Sequence, residues 1–180
     1  MTGIGFFKRL LGHSAANEQH DESTRQAALG SRMLVVDDSP TICAVLGRML
    51  ERDGYAVQKA VDGESALELA REVQPDLIFL DIVLPGINGF AVLRALRHDP
   101  RTAQIPIVMI SGNQQATEQF YVQRFGADDF IKKPFGRVEV GACIHKLVRA
   151  GRLAGRAAVP VALSVDADAV PLKQAPSLQA

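Results

Sequence analysis

Leu77-Ile78-Phe79-Leu80-Asp81 is a run of four apolar residues that stops on an acid. The pattern recurs twice. Leu34-Val35-Val36 stops on Asp37-Asp38, and Ile107-Val108-Met109-Ile110 stops on Ser111. A strand with one wet face alternates apolar and polar residues, whereas a strand covered on both faces is apolar throughout. Short uninterrupted runs therefore predict parallel strands with helices packed on both sides. Over residues 32–150 an apolar run is followed by an amphipathic helix pattern five times, which implies right-handed crossovers and an α/β doubly wound sheet.

Working outward, strand one covers about Met33–Asp37. Ser39 as N-cap and Pro40 in the first turn open helix one, whose expected stripe is Ile42, Val45, Leu46, Met49 and Leu50, and Asp53-Gly54 ends it. Strand two follows at about Ala56–Ala60. Helix two starts near Asp62-Gly63 and is stopped by Pro75. After strand three, Leu84-Pro85-Gly86-Ile87-Asn88-Gly89 is a turn sequence. Helix three runs to about Arg97, strand four covers Ile107–Ser111, and helix four roughly Thr117–Phe125. Strand five is short, about Asp129–Lys132, and helix five covers Arg137–Ala150 with stripe Val140, Ile144, Leu147 and Val148.

Bulk properties narrow the function classes. Twenty Lys plus Arg balance twenty Asp plus Glu, so net charge offers no basis for binding nucleic acid. No apolar stretch is long enough to span a bilayer, and Lys8-Arg9 interrupts the N-terminal apolar segment, which argues against a secretory signal. The two cysteines, Cys43 and Cys143, lack metal-ligand spacing and read as small core residues of a cytoplasmic protein. The four histidines are scattered, with no pair at ligand spacing.

On a parallel sheet the carboxyl ends of the strands share one rim, and ligands bind there. That rim collects Asp37, Asp38, Asp81, Ser111 and, beyond strand five, Lys132-Lys133. Three crowded carboxylates repel one another unless a cation neutralises them. A hard divalent ion such as Mg²⁺ does so with few protein ligands, leaving positions for water and phosphate oxygens. One carboxylate is then placed to attack phosphorus and carry the phosphoryl group as an acyl phosphate. Any one of these acids alone would read as a cap or a turn residue. Their conjunction with a hydroxyl and Lys-Pro is what points to phosphoryl chemistry.

Val-Asp-Asp-Ser-Pro (36–40), Leu-Asp-Ile-Val-Leu-Pro-Gly-Ile-Asn-Gly (80–89), Met-Ile-Ser-Gly (109–112), Gly-Ala-Asp-Asp-Phe (126–130) and Lys-Lys-Pro-Phe (132–135) resemble the receiver domain of two-component response regulators. The resemblance implies a flavodoxin-like five-stranded parallel sheet of order 2-1-3-4-5 flanked by five helices. By position, Asp81 matches the family's phosphoacceptor. Asp37 and Asp38 match its acidic Mg²⁺ pair, with Asp81 and the backbone carbonyl of Val83 completing the protein ligands. Ser111 matches the switch hydroxyl, Lys133 the lysine that contacts a phosphoryl oxygen, and Phe130 the aromatic switch. The Lys133-Pro134 bond is expected to be cis. The implied event is transfer from a histidine kinase or phosphotransfer protein to Asp81. Ser111 then moves inward, Phe130 fills the vacated space, and the face of helix four, strand five and helix five changes shape for a downstream protein. Val83 and Asn113 depart from the commonest residues at positions that tune phosphoryl lifetime, and Phe130 lacks a tyrosine hydroxyl.

The expected organisation is an amphipathic segment and linker over 1–31, a receiver domain over 32–151 and a disordered tail over 152–180. A tail that short and irregular has no room for a helix-turn-helix, so a stand-alone regulator acting through protein contacts, without DNA binding, is expected. Its finer similarity is to chemotaxis and twitching-motility receivers. Alternatives are a phosphate sink in a relay or an adaptor independent of phosphorylation. An Asp-nucleophile phosphatase of the haloacid-dehalogenase type would want a second acid where Val83 stands. A flavodoxin-like cofactor binder would want a Gly-rich loop after strand one. Ile4, Phe6, Phe7, Leu10 and Leu11 around Lys8 and Arg9 form the amphipathic segment. Docking on a partner or an anionic membrane is weighed there against a frayed end or a helix folded onto its own domain.

Overall fold

The computed structural model describes residues 26–112 and 124–156. The amphipathic segment, most of the expected fourth helix, and residues 157–180 lie outside the described residues. The elements are β1 (Arg32–Val36), α1 (Pro40–Arg52), β2 (Ala56–Ala60), α2 (Gly63–Val73), β3 (Leu77–Asp81), α3 (Gly89–His98), β4 (Ile107–Ser111), β5 (Asp129–Lys132) and α4 (Arg137–Arg149), the last being the fifth helix of the sequence pattern. The strands form one parallel sheet in the order β2-β1-β3-β4-β5. This is the doubly wound, flavodoxin-like arrangement.

The apolar runs explain the layers. Successive side chains of a strand point to opposite faces. Met33 and Val35, Leu77 and Phe79, and Val108 and Ile110 therefore enter one core, packed against Leu46 and Leu50 of α1 and Ile144 and Leu147 of α4. Leu34 and Val36, Ile78 and Leu80, and Ile107 and Met109 enter the other, against Ala66 and Ala70 of α2 and Val92, Leu93 and Leu96 of α3. Burying a side chain such as Phe79 or Leu80 contributes about 1.5–3 kcal/mol.

Local chemistry opens and closes the helices. The Ser39, Asp62 and Asn88 side chains accept from the N–H groups of Ile42, Ser65 and Ala91 at 3.4, 2.7 and 3.0 Å. Pro40 sits in the first turn of α1, where its missing N–H costs nothing. Gly54 takes φ 87° just past α1, a left-handed conformation suited to glycine.

Two details differ from the periodic reading. The buried face of α1 is Cys43, Leu46, Gly47 and Leu50, while Val45 is largely exposed. Gly47 faces inward, and the end of the Lys59 side chain of β2 lies across it. A Cβ there would lie 2.5 Å from Lys59 Cε. On α4, Cys143 rather than Val148 joins Val140, Ile144 and Leu147 in the buried set. The packed unit also runs past residues 32 and 151. Ala27 and Leu153 are buried in the first core, and Ala27 forms an antiparallel bridge with Gly155.

At the amino edge of the sheet the charges are tied off. Asp128 Oδ2 accepts from Arg97 Nη2 and from the Ile107 N–H, both at 2.9 Å, and Asp128 Oδ1 accepts from Arg152 Nε at 2.7 Å. Arg97 donates further to the carbonyls of Gly126, Ile105 and Ala103 at 2.8, 2.8 and 3.2 Å. Burial pulls the Arg97 guanidinium below its ordinary value and Asp128 opposes that shift. Beside it, Arg71 Nε donates to Asp99 at 2.9 Å.

Candidate functional site: an acid pocket at the carboxyl edge

Parallel register assembles the opposite edge. Val36 of β1 aligns with Leu80 of β3, so Asp37 and Asp81, the next residue of each chain, stand side by side. Asp81 aligns with Ile110, and Ser111 with Lys132. The Lys133 N–H donates to the Ser111 carbonyl at 2.7 Å, which carries the pairing one residue past β5. The Lys133–Pro134 peptide is cis.

One oxygen each from Asp37, Asp38 and Asp81 falls within 4.8 Å of the others. Asp37 and Asp81 are buried at 0% and 3% exposure, and Asp38 is exposed. Lys133 Nζ lies 2.7 Å from Asp37 Oδ2 and 3.0 Å from Asp81 Oδ1. Asp37 divides its two oxygens. Oδ1 accepts the Ser39 N–H at 2.9 Å and so closes the β1–α1 turn. Oδ2 meets Lys133 as an ion pair off the hydrogen-bonding direction and has no hydrogen-bond partner despite its burial. A buried carboxylate oxygen without a hydrogen bond is unusual.

Three carboxylates thus face one ammonium. Burial raises the Asp81 carboxyl above the ordinary aspartate value. Lys133 opposes that rise, while Asp37 and Asp38 reinforce it. For Lys133, burial lowers the pKa, but the contacts with Asp37 and Asp81 outweigh it and the ammonium is held above the usual lysine value. The pocket is a negatively charged cup with one fixed cation at its edge. The donor set, carboxylate oxygens with one left without a hydrogen bond, fits a hard divalent cation.

The other residues singled out in the sequence lie as follows. Ser111 is fully buried at the end of β4, next to β3. Phe130 on β5 aligns with Met109 and packs, partly buried, on the second core. Val83, two residues past Asp81, is 68% exposed. Asn113 lies outside the described residues. The sequence reading missed the part played by Gly89. A Cβ there would stand 2.1 Å from the Asp81 carbonyl oxygen, so only glycine lets α3 begin against the end of β3. Asn88-Gly89 reads as turn chemistry, and nothing in that pair signals a backbone approach to Asp81.

A flavodoxin-like sheet whose carboxyl edge carries an acid cup and a lysine defines a class of phosphoryl-handling α/β domains. The chain belongs to the response regulator receiver domain family, which it matches over residues 33–145. Receiver domains of this family are phosphoacceptors, and they pair with histidine kinases. It is similar to the protein PilH of Pseudomonas aeruginosa, at 42% identity over 104 residues, covering 58% of this chain and 86% of PilH. It is also similar to the DNA-binding dual master transcriptional regulator RpaA of Synechocystis, at 43% identity over 118 residues, covering 66% of this chain and 49% of RpaA. The chain therefore spans about half the length of RpaA but most of PilH. Among solved structures it resembles the receiver domain of sensor histidine kinase PA1611 from Pseudomonas aeruginosa. The TM-score is 0.62 at 28% identity, covering 67% of this chain and 98% of that one, and that structure has a magnesium ion coordinated in its active-site cleft. Among the described residues, no helix is long and apolar enough to cross a membrane.

Proposed function

We propose that Asp81 accepts a phosphoryl group from the phosphohistidine of a histidine kinase or phosphotransfer protein, and that the loaded domain signals through contact with another protein. An Asp81 carboxylate oxygen forms the new bond to phosphorus as the phosphorus–nitrogen bond of the donor breaks, and the imidazole leaves. Asp37, Asp38, Asp81 and the Val83 carbonyl would hold Mg²⁺. When bound, that ion supplies positive charge against the pocket carboxylates and the phosphoryl oxygens. Lys133, already held between Asp37 and Asp81, takes one phosphoryl oxygen. The Ser111 hydroxyl takes another.

Each new contact pairs a donor with a charged acceptor, the stronger kind of hydrogen bond. Moving a two-state equilibrium from 1:99 to 99:1 needs about 5.5 kcal/mol of differential stabilisation, which several such bonds supply together. Phe130 lies on β5, the strand that leads into Lys133. A shift at Ser111 and Lys133 therefore reaches the surface of β5 and α4, where a protein target reads it. The balanced net charge supports a protein reader over DNA.

The observation that carries this reading is the convergence of three carboxylates within 4.8 Å on a buried Asp81 whose Oδ1 receives Lys133 at 3.0 Å. The test is incubation with acetyl phosphate and Mg²⁺, followed by intact mass and acid-labile phosphate measurement. The wild type gains one phosphoryl group and Asp81→Ala gains none. An Asp81→Ala protein that still takes up one acid-labile phosphate overturns the assignment.

A further inference from the structure

A groove of about 460 Å³ lies away from the acid pocket, between α4 and the turn that follows α1. Tyr55, Val138, Gly141 and Ile144 line it, and Gln26 forms one lip. Val138 is 79% exposed, more than any other large apolar residue among those described. A Cβ built on Gly141 would meet nothing within 4 Å, so the floor of the groove is open. The charged pair at the rim, Asp53 with Arg137, is mutually satisfied, so the groove does not call for a charged ligand.

The place where the chain leaves the fold identifies an occupant. Gln26 is the first described residue and lines the groove itself. Its carbonyl accepts the Arg156 N–H at 2.7 Å, which anchors that lip to the body of the domain. Residues 1–25 thus set out from the edge of the groove. Within them, Ile4, Phe6, Phe7, Leu10 and Leu11 are the concentrated apolar residues. At 3.6 residues per turn these five fall within an arc of about 160°, with Gly5, Lys8 and Arg9 on the remainder.

We propose that the groove between α4 and the Asp53–Tyr55 turn is the seat of the chain's own segment 4–11. Residues 12–25 are the tether. A flexible chain of that length has a root-mean-square span of roughly 20 Å, enough to return to a groove that begins at its own anchor. A short tether of this kind gives an effective concentration in the millimolar range. A segment that binds only at millimolar strength as a free peptide is therefore about half seated in the intact chain. The volume suits aromatic and leucine side chains. Residues 157–180 leave from beside the same lip, but they carry no aromatic residue and three prolines, which suits them poorly to a helical seat.

The test compares amide NMR spectra of the full chain with chains lacking residues 1–12 or 157–180. Loss of residues 1–12 shifts the amides of Val138, Gly141 and His145, and loss of 157–180 leaves them in place. Adding synthetic peptide 1–12 at millimolar concentration to the shortened chain returns them. Gly141→Phe fills the floor without touching the segment. Removing residues 1–12 from that variant then produces no further shift at Val138 and His145. Unchanged amides on loss of residues 1–12 overturn the proposal. So does a response to loss of 157–180 alone, which makes that flank the occupant, or shifts that depend on protein concentration, which make it a second copy.

Discussion

The two edges of the sheet hold similar numbers of charged groups and treat them in opposite ways. At the amino edge Asp128 is shared by Arg97, Arg152 and the Ile107 N–H, and Arg97 spends its remaining donors on three carbonyls. At the carboxyl edge three carboxylates converge, Lys133 pairs with only two of them, Asp37 and Asp81, and Asp37 Oδ2 has no hydrogen bond. The contrast therefore separates charge that holds the fold from charge kept for something that arrives.

That contrast can be broken most sharply at the amino edge. Asp128→Ala leaves the Arg97 guanidinium partly buried without its acid, and losing one member of such a pair costs about 3–5 kcal/mol. Urea unfolding should show that loss, while the gain from added Mg²⁺ stays the same as in the wild type. A change below about 1 kcal/mol, the worth of an exposed pair, would mean that the two edges are not different in kind.

The next effect is at the carboxyl edge. Mg²⁺ at a hundred times its dissociation constant should stabilise the wild type by about 2.7 kcal/mol. For Asp37→Asn the same total Mg²⁺ should give little, because a carboxylate ligand is gone. Thermal unfolding with and without Mg²⁺ measures both, and an equal gain in the two proteins would remove Asp37 from the site.

The smallest effect concerns acid. The Arg71 hydrogen bond, followed by the Arg101 N–H, holds the Asp99 carboxyl below the ordinary aspartate value. A depressed carboxyl pKa contributes stability above its unfolded-state value, and that stability is lost as pH falls through the folded-state value. Asp99→Asn should thus lower stability slightly at neutral pH, and the two profiles should converge below about pH 4, where the wild-type carboxyl takes up its proton. An unaltered acid limb would show Asp99 to be as dispensable as any surface acid.

Most of the strands and the pocket were legible because parallel strands buried on both faces are continuous apolar runs, and such a sheet gathers its strand ends, whereas the strand order came from the resemblance to receiver domains. Asp37, Asp81, Ser111 and Lys133 could be brought together from position alone. The inward face of α1 could not. A stripe of apolar residues limits the buried arc of a helix but does not choose between Val45 and Gly47, a choice made by packing against elements distant in sequence. The amino-edge lattice joins residues 97, 128 and 152, too far apart in sequence for any local pattern to show. Ala27 and Leu153 stand in short apolar stretches with irregular surroundings. Nothing periodic marks them as core, yet both are buried.

The antiparallel bridge between Ala27 and Gly155 has an architectural consequence. Bridged backbones lie about 5 Å apart, so the polypeptide enters and departs through one narrow doorway. A fold with that property can be grafted as a cassette into a surface loop of an unrelated host, because the host needs to open by little more than the width of two strands.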